Sequence, residues 1–325
     1  MNLQEAKELV ESIRTNLAKV IVGKEEGVDL LLTALLANGH VLLEDVPGTG
    51  KTLLAKTLAR SLDCTFKRIQ FTPDLLPSDL SGINYYNQQS GEFMFRPGPV
   101  FASILLADEI NRATPRTQSS LLECMEERQI TIDGVTHELE APFLVIATQN
   151  PIDSQGTFPL PEAQLDRFLM RIMTGYPTFD EGVNILQRFR QNNPLADTVP
   201  VATARQIQDI QRLTSAITVS DDLLAYMVRI VEGTRKAPAV KLGASPRAGF
   251  ALLRASQGFA LIQGRDFVIP DDIKAVAVPV LAHRLLLQRG PGSREGQAAE
   301  LVQQILREVE VPAEPAAVLR GGRGE

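Results

Sequence analysis

The sequence predicts an α/β fold: a parallel sheet layered between helices in a three-layer αβα sandwich, followed by an all-helical domain. Two observations predict it. Short apolar runs at Val41 to Leu43, Phe66 to Phe71, Ile104 to Ala107 and Phe143 to Ala147 alternate with helical patterns from residue 41 to about 175, which is how parallel strands joined by crossover helices read. After Tyr176-Pro177-Thr178 apolar residues recur at helical spacing nearly throughout. The expected division is therefore a core over residues 1–177, a helical domain over 178–310 and a flexible tail over 311–325, where VPAEPAAVLRGGRGE is rich in Pro, Ala and Gly.

Taken in order, residues 1–39 read as two helices around a break at Val22-Gly23, since Leu9, Ile13 and Leu17, then Leu31, Leu32, Leu35 and Leu36, share helical faces. Two segments interrupt the alternation that follows. The first, at about 82–99, has a Ser90-Gly91 turn between strand-like flanks; the second, at about 129–141, has Asp133-Gly134 between alternating apolar residues, a strong hairpin signal. In the helical region Ser220-Asp221-Asp222 offers a cap and two carboxylates at a helix start. Ser245-Pro246 offers a cap and first-turn proline, with a stop at Gly264.

Five motifs carry chemistry. In VLLEDVPGTGKT, residues 41–52, a buried strand runs into Pro47-Gly48-Thr49-Gly50-Lys51-Thr52 and then, from Leu53, into a helix. The glycines let backbone N–H groups face a phosphate, the helix start adds a positive dipole end, Lys51 reaches the β- and γ-phosphates and Thr52 can hold Mg²⁺. The full pattern asks for glycine where Asp45 stands. In SILLADEINRA a buried strand ends in Asp108-Glu109, so that Asp108 falls on the Mg²⁺ side of the ligand crevice and Glu109 is placed to polarise water. In FLVIATQNP the strand ends in Thr148-Gln149-Asn150; the neutral amide of Asn150 can position water without adding charge, though Asn before Pro is also turn chemistry. In PLPEAQLDRF, Arg167 either pairs locally with Asp166 or Glu162 or is presented to a phosphate on a neighbouring subunit. In GASPRAGFALL, Arg247 lies in the first turn of a helix, where a cation opposes the dipole unless an anion stands in front of it; that anion is read as a nucleotide phosphate.

These motifs, with RPGPVFASILLADEINRATPRTQSSLLECMEERQITIDG between them, resemble the MoxR family of AAA+ ATPases in order, from Ile21-Val22-Gly23 to about residue 290. The resemblance implies a nucleotide-binding αβα core with a helical lid, and a ring, usually of six subunits, with ATP and Mg²⁺ at each interface. It implies Lys51 and Thr52 as Walker A residues and Asp108 and Glu109 as Walker B residues. Asn150 would be sensor 1, Arg167 the arginine finger and Arg247 sensor 2, serving either its own nucleotide or the neighbour's. It also implies Val22 and Gly23 beside the adenine, and the two hairpins as inserts facing a pore or a client. Clients would be protein complexes in maturation, with von Willebrand factor A proteins as partners.

Composition bounds the alternatives. The net charge of −6 and a pI near 5.3 argue against broad capture of nucleic acid, and YYNQQSGEF and GVTHELEAP hold no Lys or Arg for a DNA-tracking motor. A non-hydrolysing scaffold is disfavoured because every expected catalytic residue is present. Cys64 and Cys124 fit no metal or disulfide spacing. His40, His137 and His283 are scattered, so structural or exposed roles are expected for them. The acidic amphipathic start is no signal peptide, and no apolar run reaches a membrane span, so the cytoplasm is the expected compartment.

Overall fold

The structure is a computed structural model that describes residues 1–44, 48–149, 156–190, 194–288 and 294–312. Helices α1 (Leu3–Ala18) and α2 (Glu25–Leu36) flank the predicted break. Helix α1 is started by a capping box in which Glu5 N–H donates to Asn2 Oδ1 at 2.8 Å and Asn2 N–H to Glu5 Oε2 at 2.9 Å. Then follow β1 (Val41–Glu44), α3 (Lys51–Ser61), β2 (Phe66–Gln70), α4 (Pro77–Ser81), β3 (Gly82–Asn87), β4 (Glu92–Pro97), β5 (Ile104–Asp108), α5 (Pro115–Glu127), β6 (Gln129–Ile132), β7 (Val135–Glu138), β8 (Leu144–Gln149), α6 (Glu162–Leu165) and β9 (Met170–Ile172). Both predicted hairpins form, β3 with β4 and β6 with β7. Asp133 and Gly134 both take positive φ, 47° and 82°, which a two-residue type I′ turn requires.

Strands β1, β2, β5, β8 and β9 make one parallel sheet in the order β2-β5-β8-β1-β9. Alternation splits its side chains between two cores. Val41, Leu43, Ile104, Leu106, Leu144 and Ile146 point toward α1, α2 and α3, whereas Leu42, Leu105, Ala107, Val145 and Ala147 point toward α5. The fifth strand, β9, does not stand out in the sequence because Arg171 interrupts its apolar run. Arg171 is nonetheless largely enclosed, its Nη1 3.0 Å from Glu44 Oε2 on the neighbouring strand.

The remaining chain forms α7 (Phe179–Phe189), α8 (Ala204–Ser215), α9 (Asp221–Lys236), β10 (Val240–Leu242), α10 (Pro246–Ile262), α11 (Pro270–Leu281), β11 (Leu286–Leu287) and α12 (Arg294–Glu308). This region is helical as expected, with one addition: β10 and β11 pair antiparallel, in strands too short to leave a periodic signal. Ser220 accepts from Leu223 N–H as an N-cap, and Gly264 takes φ 75° just past α10. Packing does not pause at residue 177, because one buried apolar cluster runs from Ala6 and Leu31 through Leu54 to Leu252, Ile273 and Ile305. Gly258 of α10 lets that helix close on α2, since a Cβ there would sit 2.9 Å from the Thr33 carbonyl oxygen.

The titratable groups inside this packing are silent ones. Burial pushes the Cys64 and Cys124 thiols up to about 11 and about 12. His40 accepts from Val145 N–H at Nδ1 and bonds the Met125 carbonyl through Nε2, each at 3.0 Å, and burial beside Arg128 lowers its pKa to about 3. Burial likewise holds His283 well below the ordinary imidazole range. Above pH 6.5 both are neutral whether the chain is folded or not. As pH falls below 6.5 the unfolded chain takes protons that the folded one refuses, so stability drops. The expected slope between pH 6 and 5 is about 1.4 kcal/mol per pH unit for each histidine, measurable by urea unfolding; a flat stability across that range would show that the two rings are not locked neutral.

Candidate functional site

The parallel register brings four strand ends into one row. Leu43 and Glu44 lie beside Thr148 and Gln149, Ala107 beside Ala147, and Gln70 beside Asp108. Everything that follows these carboxyl ends therefore opens into one crevice, where open α/β sheets bind ligands.

The glycine-rich loop enters α3 through Gly48 and Gly50, at φ 84° and 89°. Among the described residues nothing lies within 4 Å of where a Cβ would stand at either, so the left-handed conformation selects glycine here. Helix α3, with Gly50 at its N-cap, begins without a side-chain cap and without an acid in its first turn, so the positive end of its dipole, which favours an anion, points at the loop. Asp45, Pro47 and Asn150 lie outside the described residues.

A cavity of about 310 Å³ adjoins this loop. Gly48, Thr49, Gly50 and Lys51 of the loop line it together with Ile21, Val22, Pro177, Ile185 and Phe189. Loop backbone beside apolar side chains suits a phosphorylated, flat heteroaromatic ligand. Gly23 stands just outside the lining, its Cβ position taken by the Glu181 carboxylate. Lys24, unforeseen in the sequence, donates to the Thr49 carbonyl at 3.0 Å and to Thr174 Oγ1 at 2.6 Å, tying the loop to the segment after β9. Size alone would point elsewhere: a cleft of about 840 Å³ between α2, β9, α11 and α12 is larger but is lined by no residue of the glycine-rich loop.

The acidic pair sits at the end of β5. Asp108 accepts from Thr148 Oγ1 at 2.6 Å and from Arg68 Nη2 at 2.7 Å. Glu109 adopts φ 56°, ψ 50°, a left-handed conformation that a non-glycine residue holds only when its surroundings impose it. They do so here: Glu109 N–H donates to Thr148 Oγ1 at 2.8 Å, Gln70 Nε2 donates to Glu109 Oε2 at 2.6 Å, and Arg112 Nη1 lies 3.3 Å from the same oxygen. The buried Thr148 hydroxyl thus fixes both acids. The sequence displayed it at a strand end, but only the sheet register shows what it touches. Next to it, the buried Gln149 Oε1 has no hydrogen-bond partner among the described residues.

Arg167 and Arg247 are brought together, but at the opposite end of the sheet. Both pair with Glu126 at the end of α5, Arg167 Nε at 3.2 Å and Arg247 through Nη2. In this structure the anion in front of Arg247 is this carboxylate, where the sequence reading has a nucleotide phosphate of its own chain or a neighbour's. The local alternative for Arg167 is not realised either, since Asp166 is taken by Arg284 Nε at 2.6 Å and by Ser245 Oγ at 3.1 Å. Ser245 stands at the N-cap position of α10 with Pro246 in the first turn, as the sequence predicts, but spends its hydroxyl on that bond and makes no side-chain cap. The cavity around these groups, about 510 Å³, is lined by Asn38, Gly39 and His40, the residues that precede β1, whereas the glycine-rich loop follows β1. Four residues of strand span about 13 Å, and the two cavities share no lining residue.

Comparison with known proteins supplies the context. Residues 40–170 match the model of the ATPase family associated with various cellular activities (AAA), and residues 232–305 match that of the AAA lid domain. The chain is 49% identical to uncharacterized protein YeaC of Bacillus subtilis, over 92% of this chain and 94% of that one. It is 43% identical to chaperone MoxR1 of Mycobacterium tuberculosis, over 93% of this chain and 82% of that one. A crystal structure of a candidate ATPase from Cytophaga hutchinsonii superposes with a TM-score of 0.88 at 38% identity, covering 96% of this chain and 97% of that one.

Proposed function

The chain belongs to the MoxR family of AAA+ ATPases, and on that footing we propose that it hydrolyses Mg²⁺-ATP in a ring of subunits, six by the family resemblance, and couples the cycle to chaperone-like remodelling of partner protein complexes. The observation that carries this reading is the row of strand ends that sets the glycine-rich loop beside a fixed acidic pair. The open space over Gly48 and Gly50 and the uncapped start of α3 fit a triphosphate.

In this reading Lys51 and the loop N–H groups hold the β- and γ-phosphates, and Val22, Ile185 and Phe189 take the base. Thr52 and Asp108 would hold Mg²⁺, which when bound supplies charge neutralisation on the phosphate oxygens. Glu109 accepts a proton from water as its oxygen bonds to the γ-phosphorus and the bond to the β-phosphate bridging oxygen breaks. Gln70 donates to Oε2 of Glu109 in this structure, which orients the carboxylate while its other oxygen, Oε1, takes the proton. Asn150 is assigned the positioning of the same water. Arg167 and Arg247 stabilise charge on the γ-phosphate of an adjoining subunit.

Thr148 is a positioning residue in this scheme. Thr148→Val keeps the shape and removes the hydroxyl, stranding Glu109 N–H and one Asp108 oxygen. The expected result is a loss of about 1–3 kcal/mol of stability and slower phosphate release, both restored by Thr148→Ser. Full activity in the valine variant would remove Thr148 from the site.

The client is read from the two hairpins. They are joined where Asn84 Nδ2 donates to Asp133 Oδ2 at 2.8 Å, and they expose Tyr85, Tyr86, Phe93 and Met94. Neither 84–94 nor 129–138 contains Lys or Arg. These aromatic and amide-rich hairpin tips, with the cation of β4, Arg96, set back at its base, suit polypeptide, not a phosphate backbone. Von Willebrand factor A proteins are the partner class proposed, and the cytoplasm the compartment; among the described residues no helix is long and apolar enough to cross a membrane. The test is phosphate release by the purified protein with Mg²⁺ and ATP, and retention of a protein client by Glu109→Gln held in ATP. A preparation that neither binds nor consumes ATP overturns the reading.

A further inference from the structure

Helix α7 is amphipathic over its whole length and buries none of its residues. Ile185 and Phe189 turn toward the nucleotide cavity. Its other apolar residues recur at i, i+4 and i+7, a single helical face: Phe179 is 84% exposed, Val183 39% and Leu186 74%. A second apolar feature lies beside the arginine cluster. Helices α9 and α10 enclose a groove of about 330 Å³ lined by Leu224, Val228, Phe250 and Leu253, with Phe250 66% and Val228 56% exposed. Phe250 also lines the cavity that holds Arg167 and Arg247.

We propose that the exposed face of α7 on one subunit seats in the α9–α10 groove of the next, and that this head-to-tail contact is what carries Arg167 and Arg247 to the neighbouring nucleotide. The proposal rests on the shared-site reading above and adds the surface that builds it. Each apolar face is continuous with one half of a divided site: α7 walls the nucleotide cavity, and the groove adjoins the arginines. The halves lie at opposite ends of β1, so a copy that delivers Arg247 to the phosphate end of a neighbour's cavity must bring α10 alongside. Phe250 is one turn further along α10.

Charge agrees with this occupant. The arginine cavity is lined by Arg128, Arg167, Arg247, Arg254 and Arg284 against only Glu126 and Asp166. The face it would meet carries a triphosphate together with Asp180 and Glu181 in the first turn of α7. At the groove, Glu232 is held by Lys236 at 3.0 Å, and the exposed Arg235, whose Nε donates to the Ala244 carbonyl at 2.8 Å, has its terminal amino groups left to meet the acids of α7. An amphipathic helix laid in an apolar groove is a common mode of recognition. Because the two surfaces differ, the contact is heterologous, the kind that builds a ring when its rotation closes.

The test is cross-linking with a short bismaleimide in ATP, in chains that also carry Glu109→Gln, against the same chain without an added cysteine as background. Leu186→Cys mixed with Val228→Cys is expected to give covalent dimers, and either alone is not. Separately, Leu186→Asp is expected to raise the protein concentration for half-maximal ATPase activity roughly tenfold or more while leaving nucleotide affinity unchanged. Cross-linking of one variant with itself as efficiently as the mixture would replace the head-to-tail contact with a two-fold one. Absence of cross-linking, in a protein whose Arg167→Ala and Lys51→Ala chains still restore each other, would leave the divided site standing and remove this surface from it. Failure of that mutual restoration as well would overturn the divided site, and the docking with it.

Discussion

Glu109→Gln is expected to bind ATP as tightly as the unaltered chain and to release phosphate about 10² to 10⁴ times more slowly, the range for removing a positioned general base. The substitution is nearly isosteric, so the left-handed turn at residue 109, held by Thr148 Oγ1 on its N–H, has no reason to change. What disappears is the charge that draws a proton from water. Gln70 can still bond the new amide oxygen, so a structural loss at this corner is not expected. Isothermal titration with ATP separates binding from turnover, and single-turnover phosphate release gives the chemical step. An unchanged rate would move the base elsewhere in the crevice. A loss of binding would mean that the acidic pair holds the nucleotide, with some other group readying the water.

The nucleotide half of the site was legible in the sequence because its signals are local. A glycine-rich turn between strand and helix, two acids ending an apolar run and caps such as Ser220 each state their geometry within a few residues. The Asp133-Gly134 hairpin is of the same kind, and the structure gives both residues the left-handed angles the turn demands. What stayed hidden is pairing across the fold. Nothing near Arg171 announces that Glu44 neutralises it in the sheet, so β9 looked too polar for a strand. Lys24 reads as an exposed lysine until the loop it ties is in place. Glu126 is one acid among several in LLECMEERQ, and only the packing of α5 against α10 and the segment before β9 makes it the shared partner of two arginines. Arg247 was placed correctly as a cation in a helix's first turn needing an anion. The identity of that anion depends on which end of the sheet the helix meets, and no local pattern encodes this.

That placement leads to the second large effect. Arg167→Ala is expected to keep ATP and lose hydrolysis by about 10³ to 10⁵, the range for arginines that stabilise the transferring phosphoryl group from another chain. Lys51→Ala should be inactive for the opposite reason, having lost its own phosphate contact. Mixed in equal amounts, the two inactive proteins are expected to recover activity. If subunits assort at random in a head-to-tail ring, roughly one interface in four joins an intact Lys51 to an intact Arg167. Arg247→Ala should behave in the same way with Lys51→Ala, because Glu126 gathers both arginines at the amino ends of the strands while the glycine-rich loop stands at the carboxyl ends. Restoration for Arg167→Ala but not for Arg247→Ala would mean that α10 leaves Glu126 and crosses to its own nucleotide during the cycle. That movement would have to break the Ser245–Asp166 bond and part α10 from α2, where Gly258 meets Thr33. The apolar cluster that spans both regions opposes that separation, so the neighbour's nucleotide is the target that leaves this packing intact.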